Sequence, residues 1–280
     1  MPGAAESRRD RFEHASSRAA KERKTGIPGP GRVPDDEPGA YLGYPAARMF
    51  APPSSCLKVC CIADLDEART AVSLGAQALG LVSAMPSGPG PIPDERIGEI
   101  ADRVPPPIAT FLLTCRTDAA SIVAQQALCR TNVIQLVDRV EPAELRALRA
   151  ELRGVKLVAV VHVCDAGAWD EACATAPLVD ALLLDSGNPN LPVKELGGTG
   201  RTHDWSTSRR IRESVPVPVF LAGGLNERNV REACEVVRPY GVDLCSGVRT
   251  DGALDPAKLA RFVTALRGSH AGGSGRGERI

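Results

Sequence analysis

The chain has 280 residues, room for one large domain or two small ones, and its 34 Lys and Arg balance its 34 Asp and Glu. A chain without net charge has no overall field to draw it onto nucleic acid or an anionic membrane surface, so a small-molecule partner is expected. Nine cysteines at irregular spacing, with no charged-then-apolar leader ahead of them, read as reduced thiols of a cytoplasmic protein.

Residues 1–54 are rich in Arg, Pro, Gly, Ser and Ala and poor in large apolar groups, too few to offset the entropy of ordering. They are expected to form a disordered N-terminal arm, within which Met49 is an alternative start. Residues 269–280 read as a flexible C-terminal tail. The apolar runs between, such as VKLVAVV at 155–161, fall far short of the roughly 20 residues of a membrane-spanning helix.

From 55 to 268 the pattern is regular. Eight short apolar, β-branched runs follow one another: LKVCCI (57–62), ALGLV (78–82), IATFLL (108–113), NVIQLV (132–137), VKLVAVVHV (155–163), DALLLD (180–185), PVFLA (218–222) and VDLCS (242–246). Between them lie segments with apolar residues spaced by three and four, as at 64–76, 141–152, 226–237 and 255–267. Most open on Asp, Glu-Pro or Asn, which cap or start helices. Strands that are apolar throughout and alternate with helices imply a parallel sheet covered by helices. Eight such units predict an α/β fold, a single (β/α)8 TIM barrel; an open doubly wound sheet would carry a G-x-G-x-x-G after its first strand, and none is present.

In such barrels the chemistry sits at the C-terminal ends of the strands. The first run ends in Cys60 and Cys61, the sixth in Asp185, the seventh enters AGGLN (222–226), and the eighth ends in CSGVR (245–249). Gly223, Gly224, Ser246 and Gly247 can turn backbone N–H groups toward an anion in the two loops where barrels of this class commonly bind phosphate. Strand alternation puts Lys58 and Cys60 on one face, about 7 Å apart, where an ammonium would help a thiol to act as a base, and turns Cys61 the other way. Asp185 is at the end that carries chemistry, whereas Asp180 is expected to be structural. His162 and Cys164 share a strand face without further ligands at a recognisable spacing, so no metal is expected. His203 is expected to line a polar loop, and Trp169 and Trp205 to pack helices.

The stretches LKVCCIADLDEARTAVSLGAQALGLV, QLV, DALLLDS, GGTGRTHDWS, VFLAGGLNERNV and VRPYGVDLCSGVRTDGALDPAKL, in that order from residue 57 to about 267, resemble the phosphoribosylanthranilate isomerase family. The resemblance implies an intramolecular aldose–ketose isomerase of tryptophan biosynthesis that needs no cofactor or metal, with Cys60 as general base and Asp185 as general acid. It further implies that the loop holding Gly198, Thr199 and Gly200 covers a bound phosphosugar substrate. A monomer or homodimer is expected. The chain departs from the family in three places: Cys61 replaces a glycine, SAMPSGPGPI (83–92) lacks the arginine that meets the anthranilate carboxylate, and Val137 and Asp138 stand where the family has His-Gly. Arg130, Arg139 and Arg201 are candidates to replace that arginine. Two alternatives follow: an isomerase for a different N-phosphoribosyl amine, or a non-catalytic phosphosugar-binding barrel.

Overall fold

The computed structural model describes residues 56–268; the two expected tails lie outside them. Eight parallel strands close on themselves in chain order: β1 (Cys56–Val59), β2 (Ala78–Val82), β3 (Ala109–Thr114), β4 (Val133–Leu136), β5 (Lys156–His162), β6 (Ala181–Asp185), β7 (Val219–Leu221) and β8 (Gly241–Leu244), with β8 pairing back onto β1. Eight helices follow them: α1 (Leu65–Ser73), α2 (Asp94–Ala101), α3 (Ala119–Cys129), α4 (Pro142–Glu151), α5 (Gly167–Thr175), α6 (Trp205–Ser214), α7 (Val230–Val237) and α8 (Pro256–Gly268). The predicted (β/α)8 barrel is the observed fold.

The period of two along each strand sorts the apolar residues into two cores. Val59, Leu79, Leu81, Leu112, Ile134, Leu182, Leu184, Leu221 and Val242 point outward and pack under the helices. Phe111, Leu113, Val133, Val158, Val160, Leu183 and Phe220 point inward and fill the barrel, with Phe220 edge-on to Phe111 and to Tyr240. Because the inner set keeps its phase to the strand ends, it also decides which end residues face the mouth. In β6 the phase runs 181, 183, 185, so Asp185 points inward.

Local chemistry sets the helix starts. Asp64, Asp118 and Asp204 each accept a hydrogen bond from a backbone N–H in the first turn of α1, α3 and α6, and Pro142 opens α4. Asp180, as expected, is structural: it joins Arg149, Lys156 and the Leu157 N–H at the opposite end of β6 from Asp185. Trp169 and Trp205 lie against the outer core.

Candidate active site

The C-terminal ends of the strands surround one cavity that opens to solvent. Its floor is made by inward residues of the barrel, Gln135, Leu183 and Asp243, and its walls by the loops leaving β1, β2, β6, β7 and β8. Cys60 and Asp185 both line it, carried by strands three places apart in the closed order. Both are nearly buried, at 6% and 7% exposure. Asp185 Oδ1 accepts the Ser186 N–H at 2.8 Å.

Cys60 lies one residue beyond β1, whose ladder ends at Val59, but its N–H still donates to Leu244 O at 2.8 Å and keeps it in phase with Lys58. Room for both side chains comes from Gly80 on the neighbouring strand. A Cβ there would stand 2.8 Å from Cys60 Sγ and 3.0 Å from Lys58 Nζ. The expected ammonium is therefore beside the thiol, but it is not reserved for it. Register places Lys58 opposite Asp243, and Lys58 Nζ donates to Asp243 Oδ2 at 2.8 Å in a fully buried ion pair. Burial works against the Lys58 charge, but Asp243 outweighs it and holds the ammonium above its ordinary range; burial pushes the Asp243 carboxyl up against the pull of Lys58. Asp243 Oδ1 has no partner among the described residues and stands in the cavity floor.

Cys61 corrects the sequence reading. Alternation turns it away from Cys60's face only if the strand continues, but the strand has ended, and at φ 63° Cys61 takes a left-handed turn that returns its side chain to the cavity. Its Sγ lies 2.7 Å from Cys245 Sγ.

The GGTG loop is the wall above Asp185. Gly197, at φ 136°, comes so close that a Cβ would stand 2.7 Å from Asp185 Oδ2. Thr199 Oγ1 and Ser186 Oγ share a hydrogen bond of 2.8 Å, tying the loop to the end of β6. Gly198, Thr199, Gly200, Gly223, Gly224 and Ser246 all line the cavity. Gly247 does not; it packs so tightly on the Leu225 carbonyl that a Cβ would be 2.2 Å from its oxygen. Among the described residues, the N–H groups of Gly200, Gly223 and Gly224 have no protein partner, and they gather on one side of the mouth. His203 stands behind this wall: Nε2 bonds Ser208 Oγ at 2.7 Å, and burial pushes the imidazole below its ordinary range.

The arginines considered for a substrate carboxylate do not reach the cavity. Arg130 pairs with Asp102, Arg139 with Glu141 and Arg201 with Glu195. No group of three or more metal-ligating side chains occurs among the described residues, and no helix there is long and apolar enough to cross a membrane. Sequence reasoning missed Asp243 and Gln135; the signal available was a polar residue on the inward phase of an otherwise apolar strand.

Closed barrel and cavity together define a (β/α)8 barrel whose strand ends form a small-molecule site. The sequence profile of N-(5'phosphoribosyl)anthranilate (PRA) isomerase matches residues 57–265. N-(5'-phosphoribosyl)anthranilate isomerase of Desulforudis audaxviator is 38% identical over 75% of this chain and 97% of its own length, and that of Haloarcula marismortui is 37% identical over 74% and 94%. The crystal structure of phosphoribosyl anthranilate isomerase from Thermotoga maritima superposes with a TM-score of 0.66 at 27% identity, covering 76% of this chain and 99% of that one. A phosphoribosyl anthranilate isomerase in complex with reduced 1-(o-carboxyphenylamino)-1-deoxyribulose 5-phosphate superposes at 0.64 with 26% identity, covering 76% and 99%. The chain belongs to the N-(5'-phosphoribosyl)anthranilate isomerase family.

Proposed function

We propose that the chain isomerises an N-(5-phosphoribosyl) arylamine to the 1-(arylamino)-1-deoxyribulose 5-phosphate, an Amadori rearrangement, with Asp185 as general acid and Cys60 as general base. The observation that carries this reading is that both groups, from separate strands, line one cavity that also gathers unpaired glycine N–H groups. Asp185 gives its proton to the ribose ring oxygen as the bond from that oxygen to C1 breaks, leaving an imine between C1 and the amine. Cys60 takes the proton from C2; the electron pair left behind forms the C1–C2 double bond of an enolamine as the C1–N π pair moves onto nitrogen. Protonation of that species at C1, with loss of the C2 hydroxyl proton, yields the ketose. Both steps are proton transfers between positioned side chains and the sugar.

The phosphate belongs at the wall formed by Gly198, Thr199, Gly200, Gly223, Gly224 and Ser246, where the free N–H groups of Gly200, Gly223 and Gly224 match an anion. Binding energy there, far from the reacting carbons, holds the sugar between acid and base. Family membership supports phosphoribosylanthranilate as the first substrate and a place in tryptophan biosynthesis. The chain acts as a monomer or a homodimer. The test is the decay of phosphoribosylanthranilate fluorescence, with substrate generated in situ. Asp185→Asn and Cys60→Ala should each lower kcat by about 10²- to 10⁴-fold; parental turnover in either variant would remove that residue from its role.

One observation favours a second reading of the amine. The cavity beside the proposed phosphate wall is lined by Val82, Met85, Leu113, Val137 and Leu183, and among the described residues no lysine, arginine or histidine lines it. An uncharged aryl group suits that surface better than a carboxylate does. A kcat/KM for N-(5-phosphoribosyl)aniline above that for the anthranilate compound would establish this reading; the reverse order would remove it.

A further inference from the structure

Two cysteines of this site take no part in the proposed chemistry. β1 and β8 are neighbours whose last paired residues are Val59 and Leu244, so the chain leaves both strands at the same level. Cys61 follows on one side and Cys245 on the other. The left-handed turn at Cys61 aims its sulfur at Cys245, with 2.7 Å between the Sγ atoms. A covalent bridge needs about 2.05 Å, so a movement of less than an ångström closes the gap. Both thiols line the cavity, which gives a small reagent a path to them.

The surroundings give the two sulfurs different roles. Hydrogen bonding with Cys245 and Cys60, together with burial, holds the Cys61 thiol above its ordinary range. Contact with Cys61 and the nearby Arg249 guanidinium holds Cys245 below the ordinary thiol range despite its burial. Arg249 is fixed by Glu67 at 3.0 Å and by the Cys60 and Cys61 carbonyls, and its buried Nε has no hydrogen-bond partner among the described residues. A thiol whose ionisation is favoured beside a fixed cation is the attacking partner of a reactive pair.

We propose that Cys61 and Cys245 are a modification site, a dithiol that a hydroperoxide closes reversibly into a disulfide on the cavity wall, and that the bridge stops turnover. In the first step Cys245 sulfur attacks a peroxide oxygen and the O–O bond breaks. Cys245 becomes a sulfenic acid, and the departing oxygen takes up a proton as water. Cys61 sulfur then attacks Cys245 sulfur; the S–S bond forms, the S–O bond breaks, and the hydroxide leaves as water with the proton of Cys61. Two thiols lose two electrons and hydrogen peroxide gains them. The bridge draws Cys61 away from its contact with Pro89 O, at 3.5 Å, and fixes the backbone next to Cys60. This effect on turnover rests on the proposed role of Cys60, whereas formation of the bridge does not.

The test treats the full chain with equimolar hydrogen peroxide and maps peptides without reduction, using fragmentation to tell Cys60 from Cys61. The expected product is a Cys61–Cys245 linked peptide lighter by two hydrogens, with at least a tenfold drop in turnover that dithiothreitol restores. Cys245→Ser should yield no such peptide and no restorable drop. A link through Cys60, or no link, overturns the modification site. A mapped Cys61–Cys245 bridge with unchanged turnover overturns the block, and a reduced protein inactive toward every N-phosphoribosyl amine overturns the proposed function while the peptide map still decides the bridge.

Discussion

Lys58 and Asp243 meet directly inside the barrel, at 2.8 Å, with exposures of 0% and 7%. Such a pair adds little net stability, but losing one partner strands a buried charge. Asp243→Asn should therefore cost about 3–5 kcal/mol, read as a lower urea midpoint at unchanged slope. Lys58→Met with Asp243→Leu should recover part of that loss, because an apolar pair of similar volume suits the Phe111 ring that Lys58 lies over. The place of Asp185 was legible from its strand end and that of Cys60 from sharing a face with Lys58, while their proposed roles came from the family resemblance. Asp243 was not, because its partner is 185 residues away in sequence and only barrel closure brings β8 to β1. Cys61 was misplaced for a related reason: alternation holds only while the strand lasts.

At the scale of elements, the eight strands and the helices between them could be read from period and caps, but their ends could not. β1 stops at Val59 rather than 62, where the left-handed Cys61 follows, and α7 begins at Val230 rather than 226, because Asn226 and Asn229 spend the intervening residues on a turn held by the Asn229 side chain. The α6 cap, Asp204, can be tested through pH. Thr207 and Ser206 hydrogen bonds lower the Asp204 pKa to about 2, below the roughly 3.9 of an unfolded aspartate. With the folded value depressed, the cap's contribution is complete above the unfolded pKa and fades as pH falls through about 2. Asp204→Ala should cost about 1 kcal/mol at pH 7. The gap in urea midpoint between parent and variant should narrow as pH falls below 4; a gap independent of pH would mean that the carboxylate is not the capping group.

Across the whole molecule, the separation of roles between the two ends of the barrel yields a test that needs no substrate. Ligand that binds only the folded chain stabilises it by RT ln(1 + [L]/Kd), about 2.7 kcal/mol at a hundred times Kd. For a domain of this size that corresponds to a Tm rise of roughly 5–10 °C. Inorganic phosphate should give such a rise over chloride at equal ionic strength if the glycine N–H groups after β6 and β7 form the anion site. In Gly224→Val, where φ is 60° and a Cβ would stand 2.6 Å from the Arg201 backbone carbon, the wall must shift and the increment should vanish, whatever the variant's own Tm. The increment is what decides, since it separates loss of the site from loss of the fold. An equal increment in parent and variant would move the anion away from this wall, and with it the orientation of the sugar between Cys60 and Asp185.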